Sequence, residues 1–247
     1  MTNLAIENKL QGLYNEDAQI SLYVADLGAY VAGRLRGVWV SLPLEDDELE
    51  AVYEIAEEIA IHDYECDFME ISEYADIREL NELAEELDGL DESELEAFKA
   101  YLDGVCDDYE DALQAVRNGD YTLYYNCDDM ADVAMEYVNM VGGFECVSNK
   151  EYYFDAESYG RDLELDGYNP HMWCGCYQDD CEDCQEAIRM QEDGEIDYTA
   201  EAEALFEEGC ISDDMLEYYF DYEALGRDME INGNFIFTDN GNCVEFY

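Results

Sequence analysis

Basic residues are scarce in this sequence: ten Lys and Arg stand against 66 Asp and Glu in 247 residues, for a formal net charge of −56. A direct nucleic-acid binder needs a basic face to displace counterions, and a membrane-surface protein needs Lys and Arg to meet anionic lipid. Both classes are excluded. No run approaches the roughly 18 apolar residues of a membrane-spanning helix. The opening MTNLAIENKLQGLYNEDAQ has neither the basic nor the apolar region of a secretion signal, so a cytoplasmic protein is expected. Histidine occurs twice, at His62 and His171, in neither a metal nor a triad spacing. A Gly-rich phosphate loop, GxSxG and HExxH are all missing, and carboxylate pairs are too numerous to single one out. The expectation is a protein that is not an enzyme.

Disorder is the usual fate of acidic chains, but it goes with few aromatic and apolar residues. Here 49% of residues are hydrophobic, 22 are Tyr and only two are Pro. The chain should fold, and its charge dilutes any single core, which favours several small domains in a row. The ten Cys would suit a disulfide scaffold in a short secreted protein; in a chain of this length without a signal they point to free thiols or a metal site.

The charge density has a physical counterpart. A compact 28 kDa protein exposes roughly 11,000 Å², or one net charge per about 200 Å². Duplex DNA carries one charge per about 1.7 Å of axis, on the order of 100 Å² of cylinder surface per charge. The two agree within about a factor of two, and 56 charges correspond to roughly 95 Å, or about 28 base pairs, of duplex. Such a density costs stability through self-repulsion, and solubility needs far less of it. A halophile surface, a calcium buffer or a chaperone for basic proteins remains an alternative at this level.

Along the chain, 20–28 and 37–42 read as two strands, ended by Pro43. From Asp46 to Ile61, Leu49, Val52, Tyr53, Ala56, Ile59 and Ala60 follow helical spacing. Ile77, Leu80, Leu83, Ala84 and Leu87 form the stripe of a further helix, and Leu95, Phe98, Tyr101 and Leu102 that of another. Gly89 stops the first, and Asp91 with Glu94 makes a capping-box start for the second. Asp107 or Asp108 can cap a helix running to Gly119, 121–125 alternates as a strand, and 130–141 is a helix ended by Gly142 and Gly143. The order is α+β.

The C-terminal half contains an internal repeat. Tyr152-Tyr-Phe-Asp-Ala-Glu-Ser-Tyr-Gly-Arg-Asp-Leu-Glu-Leu-Asp-Gly167 matches 218–233 at a constant offset of 66, with ten identities in sixteen positions and no gap. A module of about 66 residues therefore occurs twice. Between the copies, Cys174, Cys176, Cys181 and Cys184 are spaced to wrap a structural zinc ion, although the neighbouring acids oppose thiolate formation. No other cofactor is expected. The segment 193–200 resembles half of a calcium loop, but Arg189 and Ala200 occupy the first and last ligand positions and exclude it.

Leu22-Tyr-Val-Ala-Asp-Leu-Gly-Ala-Tyr30, Gly33-Arg-Leu-Arg-Gly-Val-Trp39 and Leu42-Pro43 resemble the N-terminal signature of the ArdA antirestriction proteins. The resemblance continues through Glu79-Leu-Asn-Glu-Leu-Ala84, Leu95-Glu-Ala-Phe98, Asp111-Ala-Leu113, Gly119-Asp-Tyr121, Phe220-Asp-Tyr-Glu-Ala224 and Gly226-Arg-Asp228. The chain departs from the family in having Val31-Ala32 where Asn-Glu is usual, and in carrying the Phe-Asp-Tyr-Glu motif twice. The resemblance implies an elongated, multi-domain α+β rod that forms a homodimer and imitates bent DNA. It implies as partner the methyltransferase core of a type I restriction-modification enzyme, whose DNA groove the protein would fill to protect an incoming plasmid, transposon or phage. A general acidic chaperone or decoy for basic proteins is the alternative.

On this reading the domains are an arm at 1–19, a sheet-plus-helix domain at 20–62, a helical domain at 63–105, an α+β domain at 106–170, and the Cys-rich segment with the second copy at 171–247. The expected phosphate-mimicking carboxylates are Glu50, Glu54, Glu57, Glu58, Asp63, Glu65, Asp67, Glu70, Glu73 and Asp76, then Glu82, Glu85, Glu86, Asp107, Asp108, Glu110, Asp111, Asp128, Asp129 and Asp132. Arg161 and Arg227 are expected to make structural ion pairs.

Overall fold

The computed structural model describes residues 9, 10, 12–170 and 182–247, the side chains of 182–184 excepted. It is α+β, with eleven helices and two three-stranded sheets among the described residues.

Ile20, Leu22 and Val24 on one face and the small Ser21 and Ala25 on the other make β1 (Ile20–Asp26) a largely buried strand, which pairs antiparallel with β2 (Gly37–Leu42) and β3 (Ile59–Glu65) in the order β2-β1-β3. Between β1 and β2, the Asp26 carboxylate accepts from Ala29 N and caps the short α1 (Leu27–Val31). Leu22, Val24 and Val40 are fully buried. The central strand explains one departure from the sequence reading. The helix expected over 46–61 stops early, as α2 (Asp46–Tyr53), and Ile59, Ala60 and Ile61 leave it for β3, opposite Asp26, Ala25 and Val24. The spacing of Ala56, Ile59 and Ala60 fits a helix locally; the open edge of β1 offers those residues a ladder of backbone bonds, and the tertiary pairing prevails.

The next helices follow their signals. In α3 (Ile77–Asp88) the stripe Ile77, Leu80, Leu83, Ala84 and Leu87 is buried, and Asp76 caps the start. The Asp91–Glu94 capping box opens α4 (Glu92–Gly104), whose Phe98 is fully buried. Asp108, rather than Asp107, caps α5 (Tyr109–Asn118), which ends on Gly119 in the left-handed region at φ 71°, where a residue with a Cβ is strained. Asn81 ties α3 to the sheet domain: it accepts from Leu44 N at 2.7 Å and donates to Leu44 O at 3.2 Å.

After β4 (Tyr121–Tyr124) come α6 (Met130–Val141), α7 (Ala156–Leu165), α8 (Glu182–Glu192), α9 (Tyr198–Glu207), α10 (Asp213–Tyr219) and α11 (Tyr222–Asn232). Strands β5 (Asn234–Phe237) and β6 (Cys243–Phe246) follow, and the second sheet has the order β4-β6-β5. The chain divides into two compact units, one up to Leu123 with Val244–Tyr247, the other Tyr124–Cys243. The first is built on the β2-β1-β3 sheet and α2 to α5. The second has a core of Ala134, Val138, Phe144, Val147, Tyr153, Ile211, Leu216, Phe220 and Leu225. No described helix is long and apolar enough to cross a membrane.

Candidate carboxylate surface

Burying the apolar stripes leaves the acids outside. Of the twenty carboxylates singled out above, nineteen are exposed and Asp132 is half-buried. Their settings differ. Glu50 lies on α2 and Glu54 at its C-terminal end, but Glu57 and Glu58 sit in the connection to β3 and not on a helix face. Asp63 and Glu65 alternate along β3, opposite Tyr23 and Ser21, and Glu65 accepts from the Tyr14 hydroxyl at 2.7 Å. Asp67 is paired with Lys99 at 2.9 Å, and Glu73 lies 3.9 Å from His62. Glu70 and Asp107 are exposed on connecting segments.

Three of the twenty carry a structural duty, which the sequence reading offered only for Asp107 or Asp108. The carboxylates of Asp76, Asp108 and Asp129 accept from backbone N–H groups in the first turns of α3, α5 and α6. A helix N-terminus carries about half a positive charge, so these acids meet a favourable field where acids elsewhere repel one another. The signal was present: each Asp directly precedes an apolar-periodic run. Asp132 is drawn in beside Asp129, accepting from Asp128 N at 2.9 Å, and Glu110 and Asp111 occupy the first turn of α5.

The structure brings one group of candidates together. Glu82 and Glu86 of α3 and Glu110 of α5 line, with Glu79, Tyr109 and Arg117, an open cleft of about 790 Å³. Arg117 neutralises part of it by pairing with Glu86. Glu85 lies just outside, accepting from Asn81 Nδ2 at 2.9 Å.

Neighbouring acids register in the groups that titrate among them. Burial, then Glu110, Glu79, Asp108 and Glu82, push the Tyr109 phenol above its ordinary value. The Cys127 thiol is pushed up to about 11, by burial first and then by Asp132, Glu136, Asp128 and Asp129. A thiol held protonated is a poor nucleophile and metal ligand. Tyrosines serve as carboxylate donors across the molecule: Tyr14 to Glu65, Tyr53 to Asp76, Tyr153 to Asp228 and Tyr219 to Asp162. With only ten Lys and Arg, these phenols add donors to the ion pairs, a use of the 22 Tyr that composition alone did not suggest.

Arg161 and Arg227 do make ion pairs, with Glu157 and Glu223 one turn earlier rather than with the adjacent Asp162 and Asp228. Among the described residues, no group of three or more His, Cys, Asp and Glu is arranged to hold a metal ion. Of the expected zinc ligands, Cys174, Cys176 and Cys181 lie outside the described residues, as does the side chain of Cys184. Cys66, Cys106, Cys127, Cys146, Cys210 and Cys243 are not in disulfides.

An acidic α+β protein whose carboxylates are turned to the surface, with a repeated C-terminal module, is the class that fold and surface define. The model of the antirestriction protein (ArdA) family matches the chain twice, over residues 22–175 and again over 169–244. The chain therefore belongs to the ArdA family of antirestriction proteins, and the second match falls on the duplicated module. No curated protein matches it significantly.

Proposed function

We propose that this protein inhibits a type I restriction-modification enzyme by imitating DNA. Its carboxylates take the places of phosphates in the basic groove of the methyltransferase core, and a plasmid, transposon or phage genome entering the bacterial cytoplasm escapes cleavage. The observation that carries the reading is the surface itself: nineteen of the twenty candidate acids are exposed, on a chain of net charge −56 from an antirestriction family.

The mechanism is electrostatic occupation without bond-making. A field of many like charges steers the protein to a basic groove, and binding releases the anions that the groove had gathered. Distributed, solvent-exposed charges each contribute about 1 kcal/mol or less, so the summed array sets the affinity. No metal or organic cofactor is needed for this.

Competition tests it. The purified protein is titrated against labelled target duplex bound to a type I methyltransferase core and, in parallel, to an unrelated basic DNA-binding protein. Saturable displacement from the methyltransferase at defined stoichiometry, with little effect on the other protein, is expected. Equal, unsaturating displacement of both would replace mimicry with the general acidic decoy.

A further inference from the structure

The two copies of the repeated motif do not fold as separate modules; they exchange parts. The offset of 66 found in the sequence maps the backbone and tyrosine hydrogen bonds of one motif onto those of the other. Asp155 N donates to Tyr219 O at 2.7 Å, and Asp221 N donates to Tyr153 O at 2.7 Å. Between them Phe154 and Phe220 form an antiparallel bridge. The Tyr153 hydroxyl donates to Asp228 at 2.9 Å, and the Tyr219 hydroxyl, 66 residues on, donates to Asp162, 66 residues back, at 2.7 Å.

The helices are exchanged in the same sense. Each motif helix is preceded in its own copy by an Asp-capped helix, α6 for α7 and α9 for α11. Yet α7 packs on α9, and α11 packs on α6. The matching glycines mark the contacts: a Cβ on Gly160 would lie 2.6 Å from Tyr198 O, and one on Gly226 would lie 2.3 Å from Met130 O. Phe154 stacks on Phe206 of the second copy at 4.6 Å, while Phe220 packs on Phe144 of the first at 4.9 Å. The core draws on both copies, with Val138 and Tyr153 from one and Leu216 and Leu225 from the other.

Reciprocal contacts of this kind, in which residue i meets j and the equivalent of j meets the equivalent of i, are the signature of a two-fold interface between identical subunits. We propose that the tandem motifs make within one chain the two-fold pairing that a chain with a single copy would make with a second molecule. The protein is a built-in dimer at this face. Its motif surfaces are occupied by each other, so the homodimer expected from the resemblance does not form through them, and one N-terminal unit accompanies each pairing instead of two. This holds whether or not the target is a restriction enzyme.

The test uses the full chain. Tyr153→Phe, Asp228→Ala and the double variant form a cycle measured by thermal unfolding over about a hundredfold range of protein concentration, with sedimentation run alongside. Each single variant is expected to lower the melting temperature by about 2–4 °C. The double variant should fall short of the sum, because both changes remove the same bond. The shortfall should be the same at every concentration, since a unimolecular contact does not respond to mass action. Tyr219→Phe with Asp162→Ala should repeat the pattern. A dimer that persists unchanged through all variants uses another face and agrees with the proposal. Coupling that appears only as a dimer dissociates, or strict additivity in both cycles, would overturn it.

Discussion

Tyr219 donates its phenolic hydrogen to Asp162 at 2.7 Å, and that bond, followed by partial burial and the charge of Asp162, pushes the phenol up to about 12 from 10.0. The bond exists only while the phenol is protonated. A proton held more tightly in the folded state stabilises it below the unfolded pKa, and that contribution is lost as the pH climbs through the folded one. Stability should therefore fall between about pH 10 and 12 as Tyr219 ionises beside a carboxylate. Tyr219→Phe should be less stable than the parent at neutral pH and flatter across that window. Denaturant titrations at several alkaline pH values, with tyrosinate absorbance followed in parallel, check both.

The glycine contacts give a second expectation. Gly160 is fitted against the Tyr198 backbone and Gly226 against the Met130 backbone, closer than any Cβ allows. Overfilling a packed contact costs typically about 1–3 kcal/mol. Gly160→Ala and Gly226→Ala should each lose about that much in urea unfolding, the helix-propensity gain of alanine notwithstanding. Gly89→Ala is the control: its Cβ would lie 3.3 Å from Glu86 O and φ is ordinary, so a change under about 1 kcal/mol is expected.

Asn81 is one of three buried polar residues among those described, and both ends of its amide bond to the Leu44 backbone. Asn81→Leu removes the partners and leaves a buried N–H and C=O unpaired, at about 1–3 kcal/mol per unsatisfied group. Chemical denaturation should show a loss in that range. Asn81→Asp keeps an acceptor for Leu44 N but sets a carboxylate against Leu44 O, and should be no better.

How much of this was open to reading from residues alone depended on whether the deciding partner was local. The starts of α4 and α5 were readable because the cap and the apolar stripe lie within a few residues. Residues 59–61 were not, since the same apolar spacing serves a helix or a strand and the choice lay with β1, more than thirty residues away. The acidic surface was readable as a class of residue. Which acids also cap helices required the helix boundary to be known to the residue, as the choice between Asp107 and Asp108 shows. The exchange between the repeats was hidden for a different reason: two matching segments look the same whether each closes on its own copy or on the other.

Salt should act on this protein with opposite signs in two assays. Raising ionic strength from about 0.1 M to 1 M shortens the screening length from about 10 Å to 3 Å. Within the protein that relieves repulsion among 66 acids, so the melting temperature should rise. Between the protein and a basic groove it weakens attraction, so inhibition measured by duplex competition should decline steeply. Inhibition that is indifferent to salt would mean that the carboxylates are not what the target recognises.

Charge and fold can be separated at the capping acids. Asp76, Asp108 and Asp129 each present a candidate phosphate mimic and also satisfy backbone N–H groups. Asparagine caps a helix about as well as aspartate, whereas alanine forfeits typically about 1 kcal/mol. Asp108→Asn should therefore melt near the parent, with Asp108→Ala below it, while the two lose the same small increment of inhibition. Extending the neutralisation by Gln at acids with no capping role, such as Glu50, Glu54, Glu57, Glu58, Glu70, Glu82 and Glu110, adds increments without removing a cap. About ten changes should abolish competition with duplex while the melting temperature holds or rises, because repulsion is being removed. If a single neutralisation that leaves the fold intact abolished inhibition, recognition would rest on one anchoring contact, and the distributed array would no longer account for binding.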